Sequence, residues 1–235
     1  MRGLQATCFH ETDPELSLWR RAGVEGLGTL LLVLAGSGAG ISASRLFAAT
    51  PGLVVPLVAL ALAGALVALI VALGSVSGGH FNPLITMLQW LAGERATLCT
   101  AAYVAAQLVG GVLGGLIAAS IWQALTAGGA ALGWHGIVSE LVATAGLMLV
   151  VFGCARGNRA DTGPFAVGAW LVAGIMATPT TSYANPAVVL GAIVTAGPLA
   201  LSADSALSYV LGEVAGALIA LLAIMAFFPK SEVVA

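Results

Sequence analysis

The chain has 235 residues, 60% of them hydrophobic and 8% charged, with a formal net charge of -2. Soluble domains carry about 25% charged residues, so this chain cannot clothe a water-facing surface and its apolar excess must meet lipid. The charge balance gives nucleic acid no basic surface to bind, and the 31 glycines are the small residues with which membrane helices approach one another.

Residues 1–21 are polar and mixed in charge, without the apolar core and small-residue cleavage site of a secretory signal. They read as a cytoplasmic N-terminal tail. A spanning helix needs roughly 20 apolar residues at 1.5 Å each to cross about 30 Å of hydrocarbon. A first repeat, residues 22–119, holds three such spans at 22–44, 53–75 and 97–119, with a shorter apolar segment at 82–91. An outer connecting loop follows at 120–135. A second repeat, residues 136–229, holds spans at 136–155, 165–177 with its flanks, and 206–228, with a short segment at 185–196. Residues 230–235 form a cytoplasmic C-terminal tail. Gly and Pro crowd both ends of the fifth span.

The two short segments make about 15–18 Å of helix each, half a membrane. Turn-forming residues precede both: Ser77-Gly78-Gly79-His80-Phe81 before the first and Pro179-Thr180-Thr181-Ser182-Tyr183 before the second. Non-helical backbone survives at membrane depth only inside protein or beside a water-filled cavity. Two re-entrant pieces therefore predict a pore or a binding cavity. With the N-terminus inside, Arg2, Arg20, Arg21, Arg95, Arg156, Arg159 and Lys230 fall on the cytoplasmic side and only Arg45 falls outside.

The halves repeat one another. Glu25 and Thr29 stand four apart in the first span, as Glu140 and Thr144 do in the fourth. Gln107-Leu108-Val109-Gly110 is echoed by Glu213-Val214-Ala215-Gly216, and Asn82-Pro83 by Asn185-Pro186. Three spans per half is an odd number, so the second half enters the membrane from the opposite side. Inverted repeats of this kind place their site near the midplane, at the repeat interface.

Asn is among the best helix N-caps, and Pro suits the first helical position because its missing N–H would be unpaired there. Capping through the side-chain oxygen leaves the Asn NH₂ donors free. Inversion turns the two helix N-termini toward each other, each with about half a positive charge. Such a junction repels cations and offers amide donors to a passing oxygen. Glu25 and Glu140 lie in membrane helices, where ionisable groups are partnered or functional. Their repetition beside each half-helix favours a supporting role over a proton relay. Glu213 either does likewise or packs away from lipid. His80 stands at the inner mouth, as a hydrogen-bonded loop residue or a pH-sensitive one. His10 and His135 carry little information. Cys8, Cys99 and Cys154 have no metal-ligand spacing, and no cofactor is expected. Gly110-x-x-x-Gly114 and Gly212-x-x-x-Gly216 read as packing faces, since no strand precedes them and no Lys-Ser/Thr follows.

On these residues the chain resembles the aquaporin and aquaglyceroporin family, the major intrinsic proteins. Ser77-Gly78-Gly79-His80-Phe81-Asn82-Pro83 is similar to the first loop signature of that family, and Asn185-Pro186-Ala187 is similar to the second. The resemblance runs from about Arg20 to Phe228. It implies an all-α membrane fold, six transmembrane helices plus two re-entrant half-helices in an inverted 3+3 repeat. It also implies a homotetramer with one pore per subunit, and carboxylates at Glu25 and Glu140 that accept hydrogen bonds from the re-entrant loops.

Two residues depart from the family pattern. Leu84 stands where Ala is usual, and Val188 where an Arg usually forms the narrow outer filter. Counted from the two Asn residues, the remaining filter positions fall on Leu62, on Ser182 and around Gly174. None is a large aromatic or His, so the filter reads as wider and more apolar than one that passes water alone. Val with small or aliphatic partners resembles the bacterial arsenical-conducting aquaglyceroporins. That resemblance implies a passive channel for glycerol-like polyols, arsenous acid, organic arsenicals and water in a bacterial inner membrane. A general glycerol and water facilitator fits the same residues. An ion-coupled secondary transporter lacks a titratable carrier at the site, and an enzyme lacks a nucleophile with its base.

Overall fold

The computed structural model describes residues 16–123 and 132–228. These residues form eight α-helices: α1 (Leu18–Leu46), α2 (Val54–Ser77), α3 (Pro83–Leu91), α4 (Thr97–Trp122), α5 (Trp134–Arg156), α6 (Gly163–Ala177), α7 (Pro186–Val194) and α8 (Ala203–Phe227). Short 3-10 turns at Pro51–Leu53 and Gly197–Leu199 lead into α2 and toward α8. The fold is all-α, with six membrane-crossing helices and two half-length ones.

Helices α1, α2, α4, α5 and α8 are each long and apolar enough to span. The fifth crossing, α6, has only 15 residues, about 22 Å of helix. Its end has a local cause. Pro179 follows Thr178 and forces it into an extended conformation, φ -120° and ψ 139°. Residues 178–184, a turn and then irregular backbone, carry the chain onward. At the other end Pro164 sits in the first turn, where its missing N–H costs nothing, so the helix opens two residues before the expected 165.

Other ends also differ from expectation. Helix α1 begins at Leu18, inside the expected tail, and α4 runs to Trp122, inside the expected loop. Helices α5 and α8 begin at Trp134 and Ala203, earlier than hydropathy placed them. Polar and aromatic residues end an apolar window without ending the backbone ladder. Arg45 illustrates this: its Nη2 donates to the Trp122 carbonyl oxygen at 2.8 Å, satisfying the C-terminus of α4 from the end of α1. The rest of the expected tails and loop, with Arg2, Cys8, His10 and Lys230, lies outside the described residues.

The order α1–α4 recurs as α5–α8. Helix α1 packs on α4 and α2, and α5 packs on α8 and α6. The packing faces read from sequence are the contact seams. A methyl group on Gly110 would overlap the Gly26 carbonyl oxygen, and one on Gly216 would overlap that of Leu141. Gly114 and Gly212 meet the Leu30 and Ile137 carbonyls in the same way. The half-helices bind the halves together, since α7 packs on α4 and α3 touches α8. Outward faces keep large apolar side chains exposed, Leu60, Val109, Leu211 and Leu222 among them, a surface for lipid rather than water to cover.

Candidate functional site

The two half-helices begin alike. Asn82 and Asn185 are the N-caps, each in extended conformation with Pro at the first helical position. The Leu84 N–H donates to Asn82 Oδ1 at 2.9 Å, and the Ala187 N–H to Asn185 Oδ1 at 3.0 Å. Leu84, at the usual Ala position, is buried in the apolar core and leaves the cap in place. The two caps also cross. Asn82 Nδ2 donates to the Ala184 carbonyl at 2.8 Å, and Asn185 Nδ2 donates to the Phe81 carbonyl at 2.8 Å. Each amide has two hydrogens, so one ties down the opposite loop and one is left over. Both Asn residues border the same inner cavity.

The loops before the caps need external support, because their backbone cannot pair with itself. Phe81, Thr181, Ser182 and Ala184 all have positive φ, between 47° and 61°, a strained region for residues with a Cβ. Buried carboxylates hold them. Glu25 Oε1 accepts from Ser77 Oγ at 2.6 Å and the His80 N–H at 3.0 Å. Glu25 Oε2 accepts from the Phe81 N–H at 2.7 Å and Gln107 Nε2 at 2.8 Å. Glu140 accepts from the Tyr183 N–H at 3.1 Å and the Ala184 N–H at 2.7 Å. Glu213 Oε1 accepts from the Asn185 N–H at 2.7 Å. All three side chains are fully buried. Thr29 returns a hydrogen bond to the Glu25 carbonyl within α1.

Two cavities meet at this junction. The inner one is bordered by Asn82, Asn185 and His80, with aliphatic residues of α2, α5 and α6. The outer one is bordered by Ser37, Ile175 and Ser182 among others. Leu62, Tyr183 and Val188 border both. A wider vestibule lies beyond, lined by Pro179, Thr180 and Thr181 with parts of α2 and the chain before α8. None of the residues bordering these three cavities is Asp, Glu, Lys or Arg.

Three of the four expected filter residues, Leu62, Ser182 and Val188, stand on these walls. Gly174 does not. The wall residue from α6 is Ile175, one position on. Gly174 lies behind Ser182, where a Cβ would come within 2.9 Å of Ser182 Oγ. It makes room for Ser182, whose buried hydroxyl has no protein partner. Gly36 does the same for Leu62, where a Cβ would come within 2.8 Å of Leu62 Cδ1. His80 is a buried loop residue whose Nδ1 lies 2.9 Å from Thr86 Oγ1. Counting from the Asn residues missed Tyr183, which borders all three cavities and whose hydroxyl donates to the Leu199 carbonyl at 2.7 Å. Glu213, which the sequence offers as a loop-supporting or a packed acid, takes the Asn185 N–H, whereas its counterpart Gln107 bonds Glu25 and Thr86.

Comparison with known proteins agrees with this geometry. The family model described as Major intrinsic protein matches residues 14–223. The chain is 33% identical to the aquaglyceroporin AqpS of Rhizobium meliloti over 213 residues, covering 88% of this chain and 89% of that one. It is 35% identical to aquaporin TIP1-2 of Zea mays, covering 81% and 84%, and 34% identical to aquaporin Z of Photorhabdus laumondii, covering 72% and 80%. The fold matches the X-ray structure of the aquaglyceroporin from Plasmodium falciparum with a TM-score of 0.72 at 19% identity, over 88% of this chain and 96% of that one. An inverted repeat whose capping Asn residues cross at a shared cavity, matched by sequence over nearly its whole length, places the chain in the major intrinsic protein family.

Proposed function

We propose that the chain is a passive channel for small uncharged solutes, among them glycerol-like polyols and neutral metalloid acids such as arsenous acid, with water passing alongside. Membership of the family makes it a multi-pass membrane channel and not an enzyme. The finer reading rests chiefly on one observation: Val188 and Leu62 border both cavities where a charged or aromatic ring would otherwise constrict them. Aliphatic walls offer a neutral solute contact without a competing donor, while the two amides meet its oxygens. Facing helix N-termini add positive potential at the junction, which opposes cations and protons. An organic arsenical fits the same description, being neutral and apolar at one end.

The reading extends to the assembly. By resemblance the channel is a homotetramer in a bacterial inner membrane, each subunit with its own pore and both termini in the cytoplasm. The basic residues support that orientation, since Arg20, Arg21, Arg95, Arg156 and Arg159 fall on one side.

The test is stopped-flow light scattering on proteoliposomes of the purified protein, with glycerol, arsenous acid and sucrose as osmolytes. Glycerol and arsenous acid should equilibrate without any ion gradient and without saturating, and sucrose should stay out. Water passage with glycerol and arsenous acid both excluded would refute the solute reading. Saturable, gradient-dependent uptake would identify a transporter instead.

A further inference from the structure

Among the described residues, Glu213 is the fully buried carboxyl group with an oxygen, Oε2, that has no hydrogen-bond partner. A buried, unpaired carboxylate oxygen is costly, and an uncompensated charge far more so. Its environment can be read against that of Gln107, its counterpart in the first half. Gly110 and Gly216, three residues after Gln107 and Glu213, abut the carbonyls of Gly26 and Leu141. Gly26 and Leu141 are the residues directly after Glu25 and Glu140. The helix pairs α1/α4 and α5/α8 are therefore in the same register, and Glu213 faces Glu140 as Gln107 faces Glu25.

The donor accounts of the two acids differ, and the side chain facing each from the neighbouring helix is part of the difference. Glu25 takes four donors: Ser77 Oγ, two backbone N–H groups and Gln107 Nε2. Glu140 takes the matching pair of backbone N–H groups. Thr180 stands five residues before Asn185 as Ser77 stands five before Asn82, but its hydroxyl pairs with Thr178. No counterpart of the Gln107 amide reaches Glu140 if Glu213 is ionised, because an ionised carboxylate cannot donate. Nor does a cation balance a second charge there. Helices α3 and α7 carry no titratable residue, and α5 has His135 and Arg156 only near its two ends. The phenols of Tyr183 and Tyr209 lie near the pair and bring no positive charge.

We propose that Glu213 is held as the neutral acid and donates its Oε2–H to Glu140, as Gln107 donates its amide to Glu25. One proton then closes both open accounts. Oε1 stays available as the acceptor for the Asn185 N–H, so Glu213 is a positioning residue for the second capping Asn. The acid does in α8 what the amide does in α4, and the second half carries a stored proton where the first half carries none.

The experiment is infrared difference spectroscopy of the purified channel in lipid, wild type against Glu213→Gln, in H₂O and D₂O. The wild type should show a protonated-carboxyl C=O band that shifts in D₂O and is missing from Glu213→Gln. In parallel, Glu213→Gln should keep glycerol flux within about twofold, while Glu213→Ala, which strands the Asn185 N–H, should lose about tenfold per folded channel. Superimposed wild-type and Glu213→Gln spectra in the acid-carbonyl region would overturn the proposal, as would a Glu213→Gln channel as impaired as Glu213→Ala. The flux arm rests on the channel reading above, but the infrared arm does not. A wild-type protein with the band and no solute flux sinks the solute reading and leaves the neutral acid standing.

Discussion

The side-chain nitrogen of Asn82 lies 2.8 Å from the carbonyl oxygen of Ala184, the residue that leads into the opposite half-helix. Asn185 returns the same bond to Phe81. Each Asn thus performs two tasks, capping its own helix through Oδ1 and fixing the other loop through Nδ2. Phe81 and Ala184 both have φ of 47°, so the carbonyls that receive these bonds are held in a conformation that the backbone alone disfavours.

Replacing either Asn by Asp keeps the capping acceptor and removes the donor. It also sets a negative charge against two helix N-termini that otherwise favour anions. Asn82→Asp and Asn185→Asp should fold, leak cations more than the wild type does, and lose solute selectivity. Potassium or proton flux across proteoliposomes under an imposed potential reads this directly. Equal cation leak in wild type and both variants would mean that the crossed amides do not set the barrier.

Val188 calls for the opposite change. An Arg there reaches into space shared by both cavities, bringing a charge and up to five donors. Val188→Arg should depress glycerol and arsenous acid flux about tenfold or more while lowering water flux much less, since a narrow polar ring favours the smaller molecule. The solute-to-water permeability ratio from stopped-flow scattering checks it. An unchanged ratio counts against Val188 as a filter residue.

Much of this was legible in the chain because the signals were geometric. A rise of 1.5 Å per residue separates a crossing from a half-crossing, and Asn-Pro marks where each half-helix begins. The α6 wall residue was less legible. Its phase depends on residues 178–184, where Thr181, Ser182 and Ala184 have positive φ and bend the chain, so counting back from Asn185 through irregular backbone reaches only the neighbourhood of Gly174, one residue from the outer-cavity wall residue Ile175. Gly174 proved informative for another reason, as the space behind Ser182. Helix ends run past the apolar window where Trp or Arg continues the ladder, as Trp122 does under the Arg45 side chain, and at α8, where Ser202 caps a start at Ala203.

The glycine seams give a prediction about the fold rather than the pore. Gly110 in α4 meets the Gly26 carbonyl of α1, with no room for a methyl group between them. Gly110→Leu must push the helices apart, and overpacking of this kind costs about 1–3 kcal/mol or more. Gly64, with nothing within 4 Å of a built Cβ, is the control. Gly64→Leu should leave the unfolding temperature in detergent near wild type, whereas Gly110→Leu should lower it by several degrees or abolish folded yield. Comparable stability for the two variants would show that α1 and α4 do not depend on close backbone contact.

Arg156 joins three elements at the end of α5. Its Nη2 lies 2.9 Å from Glu94 Oε1 in the turn after α3, with both side chains about nine-tenths buried. Its Nη1 donates to the Phe228 carbonyl and to the Ile224 carbonyl at 3.3 Å, which satisfies the C-terminus of α8. The guanidinium thus answers both a carboxylate and the end of α8, where the Ile224 carbonyl also takes the Phe228 N–H, and its two partners should differ in weight. Arg156→Ala takes the guanidinium from the acid and the Phe228 carbonyl together, and breaking a buried pair in this way costs about 3–5 kcal/mol. Glu94→Gln keeps an acceptor for Nη2 and should cost only about 1 kcal/mol. Arg156→Lys, with a single compact ammonium, cannot reach all three acceptors at once and should fall between the two. Thermal unfolding of the three variants in the same detergent checks the order. If Glu94→Gln proves as damaging as Arg156→Ala, the ion pair outweighs the helix cap, and the carbonyl bonds add little.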